Sequence, residues 1–226
     1  MAEPLMQIII PTLWKPPGLA AVLRHYLQAA VVERLIVIDN APASRPADAL
    51  PPDHPKLLLL EQSHNLYVNQ AWNLGMAQVE DPEAVVAILN DDILLPESVL
   101  ARLQRHPWLA GDVIGLLPEP AAGGPAPPFV LEPFPYRPDR SIGEQAKGFG
   151  SALLMQKISY SPIPADLQIW FGDDWLLRHA RCVYGFWDAS IERQHHLTME
   201  PMRRSAVFRQ RLADDRAAAR QLLGIG

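Results

Sequence analysis

The sequence predicts an α/β fold, a mainly parallel central sheet with helices on both faces, and three observations predict it. Short apolar runs alternate with amphipathic segments of helical period through the first two-thirds of the chain. Several of those runs are continuous rather than alternating, as strands buried on both faces require. The length of 226 residues suits one large domain of this kind.

The elements follow in order. Leu5 to Ile10 is a β-rich run closed by Pro11, the first strand. Gly18 to Ala30 puts Leu19, Val22, Leu23, Tyr26, Leu27 and Ala30 on one helical face. Arg34 to Asp39 is a second buried strand that ends at a carboxylate. The Pro-rich, polar stretch from Ala41 to Pro55 is a loop, and Lys56 to Leu60 a third strand. Asn69 to Val79 has helical spacing, and Val85 to Leu89 is a fourth strand running straight into Asn90-Asp91-Asp92. Pro96 opens a helix through about Arg105, and Val113 to Leu117 is a fifth strand.

From Pro118 to Pro138 proline and glycine dominate, which excludes a long helix or a central strand and predicts a loop over the sheet's edge. Gly150 to Gln156 resumes a strand, Asp173 to Ala180 is a short helix, and Tyr184 to Gln194 supplies one or two strands. The Arg- and Ala-rich tail from Met202 to Leu223 is helical, with a solvated face favoured over a site for an anionic acceptor.

Composition narrows the function classes. Hydrophobic residues make up 49% and charged residues 20%, ordinary globular usage. A net charge of −5 argues against a broad basic face for duplex nucleic acid. Cys182 is the only cysteine, so no intrachain disulfide or cysteine metal cluster is expected. No run approaches the roughly 18 apolar residues of a membrane span, and the start lacks the pattern of a secretion signal. The expectation is a soluble, cytoplasmic protein.

The chemistry-bearing feature is a set of acids at strand ends. In an open α/β sheet, ligands bind beyond the carboxyl ends of the strands. Asp39 ends the second strand and Asp91-Asp92 follow the fourth, so they should face one crevice. A carboxylate at Asp39 suits a base N–H or a ribose hydroxyl, and paired acids suit a hard divalent cation that neutralises a diphosphate. Taken singly, an acid after a strand is more often a solvated turn or a helix cap.

The ordered segments IIIPTL (Ile8 to Leu13), LIVIDNA (Leu35 to Ala41), NLYVNQAWNLGMA (Asn65 to Ala77) and ILNDDILL (Ile88 to Leu95) resemble the family-2 glycosyltransferases. The resemblance covers residues 6 to about 96 well and the remainder more loosely. Tyr67 stands where the family often has glycine, and Asn90 replaces the first acid of its D-x-D metal motif. The resemblance implies the GT-A fold in a single domain of residues 1–226. Residues 1–117 would form the nucleotide-sugar half, 118–140 a Pro-rich loop and 141–226 the acceptor half.

It also implies roles. Pro11 and Thr12 would line the nucleotide pocket, and Asp39 would bind the nucleobase, with uracil favoured for its N3–H. Asn65 and Asn73 would hold the donor or the loop beside it. Asp92 would ligate Mn2+ or Mg2+, with Asp91 on ribose or the metal's waters. GFGSALLMQ (Gly148 to Gln156) resembles the family's glycine-containing strand beside the acceptor. WFGDDWLL (Trp170 to Leu177) resembles its acidic pair at a helix start, which makes Asp174 the general base, with Asp173 beside it. His195 or His196 would complete the metal site. Trp170 or Trp175 would stack on the acceptor if these aromatics are not simply core.

The activity implied is metal-dependent transfer of a sugar from a nucleotide-diphosphate-sugar to an acceptor hydroxyl by single, inverting displacement. The acceptor (small molecule, glycan, protein or modified nucleic acid) and the oligomeric state stay open. A nucleotidyltransferase is the nearest rival, but it wants a Gly- and Arg/Lys-rich loop after the first strand, where TLWKPPG (Thr12 to Gly18) stands. A non-catalytic nucleotide-sugar or carbohydrate-binding module is the other. A dinucleotide-binding methyltransferase or dehydrogenase would need a glycine-rich first turn, which is lacking. The whole expectation requires Asp39, Asp92 and Asp174 to converge.

Overall fold

Continuous apolar runs become a sheet covered on both faces. The computed structural model describes residues 5–51, 53–119, 129–193 and 205–225. Its main sheet has eight strands: β1 (Met6–Thr12), β2 (Val32–Asp39), β3 (Leu57–Glu61), β4 (Val85–Leu89), β6 (Asp112–Leu116), β7 (Val130–Pro133), β8 (Ala152–Gln156) and β9 (Cys182–Trp187). Their spatial order is β3-β2-β1-β4-β8-β6-β9-β7, and only β8 and β7 run against the rest. A small second sheet pairs β5 (Ile93–Leu94) with β10 (Glu192–Arg193). The mixed α/β architecture expected from the alternating pattern is the one observed.

Odd and even residues along the strands face different cores, as the two-residue period demands. Ile8, Ile10, Leu35 and Val37 pack with α1 (Leu19–Gln28) and α3 (Glu97–Gln104), through Val22, Leu23, Val99, Leu100 and Leu103. Ile9, Ile36, Ile38, Val86 and Ile88 pack with α2 (Tyr67–Ala77), α5 (Gly172–Arg178) and α6 (Ala206–Leu223). A short α4 (Ile142–Gln145) adds Ile142 to the second core. Truncating a fully buried leucine such as Leu23 to alanine would cost roughly 2–5 kcal/mol.

Two expectations are corrected. The first strand does not stop before Pro11 but runs to Thr12. Its pairing with β4 ends at Ile9, so beyond that point β1 has a ladder partner on the β2 side alone and proline's missing N–H is tolerated. The Pro-rich stretch is not all loop, because Val130–Pro133 forms β7. It lies at the sheet's edge, where a proline in a strand is readily tolerated. Among the described residues no helix is long and apolar enough to cross a membrane.

This topology decides where the chemistry gathers. Strands β1, β2 and β4 are parallel, so Thr12, Asp39 and Asn90 to Asp92 leave the sheet at the same end. Strand β8 is antiparallel to β4 and pairs Ala152 with Leu89, which carries Gly148 to Ser151 to that same end.

Candidate functional site

The rim begins at the end of β2. Asp39 is fully buried, and its two oxygens are met from three directions. Oδ1 accepts the Trp14 indole N–H at 2.7 Å and the Ala41 backbone N–H at 3.0 Å. Oδ2 accepts from the Arg45 guanidinium at 3.1 Å, and Arg45 also pairs with Glu61. A buried charge persists when it is paired and hydrogen-bonded, and this one is both.

Thr12 lies opposite Asp39 in the register and links β1 to β4. Its hydroxyl donates to Asp91 Oδ2 at 2.7 Å while accepting the Trp14 backbone N–H at 2.8 Å. Burial pushes the Asp91 carboxyl up to about 6; the Thr12 hydroxyl opposes that rise and the neighbouring Asp92 charge adds to it. Strand β10 sets Arg193 opposite Ile93, and the Arg193 guanidinium feels the Asp92 charge while donating to the Leu117 carbonyl at 2.6 Å. Burial lowers the Arg193 pKa from its ordinary value, and Glu119 and Asp92 oppose that. His195 and His196, two and three residues on, lie outside the described residues. Among those described, no group of three or more His, Cys, Asp or Glu side chains is arranged to hold a metal.

The third part of the rim is the loop before β8. Ser151's carbonyl accepts the Asn90 N–H at 2.9 Å, so this loop sits directly against the Asn90-Asp91-Asp92 segment. Gly150 in turn abuts Asp173, and a Cβ there would collide with the Asp173 carboxylate. Only glycine lets the acid approach the backbone so closely. Asp173 Oδ1 accepts the Asp174 N–H at 3.0 Å, and its Oδ2 lies against Gly150 in the loop. Asp174 is turned the other way: it is 2% exposed, and its Oδ1 accepts the Ile142 N–H at 2.6 Å at the start of α4. Burial raises both acids above the usual carboxylate range, and for Asp174 the adjacent Asp173 charge raises it further.

Most of the expected residues therefore meet at one end of the sheet. Asp39, Thr12 and Asp91 are linked by hydrogen bonds through Trp14, and Asn90 and Gly150 join them to Asp173. Pro11 pairs with Ile38 next to Asp39. Asn65 and Asn73, expected to hold the donor or the loop beside it, are both engaged by neighbouring protein groups. Asn65 accepts the Tyr67 N–H at 2.8 Å. Asn73 has all four positions taken, donating to Gln70 and the Ile163 carbonyl and accepting from Tyr160 and the Ile163 N–H. Trp170 packs edge-on against Phe208, and Trp175 lies beside His179.

Sequence reasoning missed several residues that shape the rim. Trp14, Arg45 and Arg193 carried no motif. Asn69 is fully buried inside α2 and donates to the Trp170 carbonyl at 3.2 Å, with Gly172 pressed against it. Backbone strain was the other unread signal. Trp14, Tyr67 and Phe171 have φ of 59°, 60° and 62°, a left-handed conformation that costs non-glycine residues energy and gathers at functional sites. Tyr67 thus adopts with a bulky side chain a conformation suited to the glycine of the resembled family. A cavity of about 600 Å3 opens at the opposite end of the sheet, lined by Leu5, Glu33, Val85, His106, Trp108 and Gln156 among others, far from all of these acids.

The sheet and its covering helices have the GT-A fold. The solved structures it resembles include a mannosyltransferase from Pyrobaculum calidifontis in complex with GDP-Man and Mn2+, at a TM-score of 0.56 and 15% identity. That match covers 98% of this chain and 65% of the mannosyltransferase, so the chain spans about two-thirds of its length. HddC from Yersinia pseudotuberculosis matches at a TM-score of 0.50 and 15% identity, over 81% of this chain and 93% of its own. A 4-diphosphocytidyl-2C-methyl-D-erythritol synthase from Anaerococcus prevotii matches at 0.39 and 10% identity, over 52% of this chain and 56% of its own. No family model matches the chain, and no curated protein does. At these identities the likeness is one of fold.

Proposed function

We propose that the chain transfers a sugar from a nucleotide-diphosphate-sugar to an acceptor hydroxyl, with Asp173 as the general base. The observation that carries this reading is the linked rim of Asp39, Thr12, Asp91-Asp92 and Asp173 at the carboxyl end of the sheet. The base moves one residue from the Asp174 that the resemblance implied. Asp174's carboxylate is buried and engaged by Ile142, whereas Asp173 reaches the loop beside Asp91-Asp92. A carboxylate held above its usual range is better matched to taking a hydroxyl proton near neutral pH.

The nucleotide end follows from Asp39 and Arg45. A carboxylate beside a guanidinium offers an acceptor next to a donor. Uracil, thymine and guanine each present a ring N–H next to a carbonyl, which complements that pair; adenine and cytosine do not. Asp39 is fully covered, so a base reaches it only as Arg45 swings aside. UDP-, dTDP- and GDP-sugars are therefore the candidate donors, with UDP first.

Asp91 and Asp92 have the hard oxygen chemistry that Mn2+ or Mg2+ takes, and His195 or His196 is the proposed third ligand. Bound there, the ion would neutralise the departing diphosphate. Thr12 holds Asp91 in place, Arg193 sets a positive charge beside Asp92, and Asp173 removes the acceptor proton as the hydroxyl attacks the anomeric carbon. One displacement of this kind inverts the anomeric configuration.

The test is incubation with UDP-, GDP- and dTDP-sugars and Mn2+ over an acceptor panel, with products read by NMR. Release of nucleoside diphosphate with an inverted product supports the proposal. Pyrophosphate release from a sugar phosphate and a nucleoside triphosphate would point to nucleotidyl transfer instead, and a retained configuration would remove the single displacement.

A further inference from the structure

The C-terminal helix α6 carries one carboxylate that its own surface does not explain. Phe208, Asp215, Ala219 and Leu223 are its buried positions, a stripe where apolar residues belong. Asp215 is fully buried within that stripe, while its neighbour Asp214 is exposed and accepts from Gln210 at 2.8 Å. Aspartate is a poor helix-interior residue, and burying its charge carries a desolvation cost, so a strong set of partners must offset both.

Those partners are three consecutive backbone N–H groups. Asp215 Oδ1 accepts from Gln168 at 3.0 Å, and Oδ2 accepts from Ile169 at 2.8 Å and Trp170 at 2.9 Å. The segment belongs to no helix or strand. Its carbonyls are held from the other side by α2: Gln168's accepts the Val68 and Asn69 N–H groups, and Trp170's accepts Asn69 Nδ2. A segment gripped on both sides has little freedom. It leads directly into Phe171, in its left-handed conformation, and then into Gly172, Asp173 and Asp174.

We propose that Asp215 is a positioning residue: by fixing the backbone of residues 168–170 it sets the strained Phe171 turn and holds Asp173 against Gly150, beside the metal-binding acids. This rests on the reading of Asp173 as the base. The same helix also braces the second strained residue of the rim, since the Arg211 guanidinium lies 5.3 Å from the centre of the Tyr67 ring. Two further contacts seat α6 on this region, Phe208 against Trp170 and Arg178 donating to the Leu223 carbonyl at 2.6 Å. A short carboxylate suits the task because it accepts several N–H bonds at once while having few rotatable bonds to lose.

The experiment compares wild type with Asp215→Asn, which keeps the shape but turns one acceptor oxygen into a donor facing an N–H. Amide hydrogen exchange at Gln168, Ile169 and Trp170 should be strongly protected in wild type and at least tenfold faster in the variant, with β1 and β4 amides unchanged. With a UDP- or GDP-sugar and Mn2+, the variant's kcat should fall about 100-fold, as a misplaced catalytic group predicts. Its dissociation constant for the donor should stay within twofold, and its kcat–pH profile should shift, because the Asp173–Asp174 pair relaxes. A purely structural role would not separate kcat from donor binding.

Rapid exchange of the three amides in folded wild type would overturn the proposal, and this measurement needs no variant should Asp215→Asn fail to fold. Wild-type kcat and pH profile in the variant would overturn it equally. Failure of the wild-type chain to use any nucleotide-sugar is a separate result: it removes the sugar-transfer reading, and the exchange data still decide whether Asp215 grips the segment.

Discussion

Two buried acidic sites stand at the same end of the sheet, and they are built in opposite ways. At the end of β2, Asp39 is surrounded by donors: an indole N–H, a backbone N–H and a guanidinium. At the start of α5, Asp174 has one backbone N–H from Ile142 and a second carboxylate for a neighbour. The first arrangement meets both carboxylate oxygens with donors. The second disfavours charge and leaves a carboxylate ready to hold a proton. The same residue type at the same rim is thus given opposite surroundings by what lies within about 3 Å of it.

The largest expected effect comes from removing the proposed base. Asp173→Asn should lower kcat by about 1,000-fold, within the range for loss of a general base, while calorimetry finds donor affinity little changed. Asp174→Asn should retain kcat within tenfold; equal losses in the two variants would erase the distinction between them. Next comes the recognition side. Arg45→Met leaves Asp39 with its indole and backbone donors but without its counter-charge. Because Arg45 is partly exposed, the loss should be modest for a buried pair, roughly 2 kcal/mol by urea denaturation. Donor binding should weaken at the same time.

A third comparison sharpens the contrast through pH. Asp174 is raised from its ordinary value to about 8, so the folded protein binds a proton that the unfolded chain has released. Stability contributed this way is complete below pH 4 and is lost as pH rises toward 8. Wild type should therefore melt lower at pH 8 than at pH 5. Asp174→Asn should melt a few degrees above wild type at pH 8 and about level with it at pH 4, read by calorimetry. The smallest effect is at Thr12. Its hydroxyl holds the Asp91 carboxyl down against burial, so Thr12→Val should raise that pKa above about 6. Metal-dependent donor binding should then weaken a few-fold at pH 6 and recover by pH 8, measurable by thermal shift.

Much of this contrast was legible in the chain. Strand β4 falls on Val85–Leu89, the run the pattern marked, because five consecutive apolar residues buried on both faces leave little other choice. Asp39 and Asp91-Asp92 were legible for the same reason: a strand end is a place in sequence as well as in space. The acidic pair at α5 was legible as a helix start, but what each acid touches was not. That depends on Gly150 and Ile142, residues distant in sequence. Trp14 and Arg45 were silent because nothing in their neighbourhood announces a contact with Asp39. Asp215 did leave a trace, a lone acid among the apolar positions of an amphipathic helix, and reading the tail as a solvated surface passed over it. The edge strand β7 went unread because proline argues against strands in general, while an edge forgives it.

By itself, then, the sequence determined the alternation of strands and helices, the parallel core and the presence of acids where strands stop. These depend on periodicity and on local backbone preference, both written within a few residues of each site. Only the tertiary structure decided how each carboxylate is buried, which donors meet it, and which distant helix carries the carboxylate bonded to residues 168–170. Those outcomes turn on burial and on hydrogen-bond donors brought from far along the chain, and such groups become neighbours only when the sheet has formed.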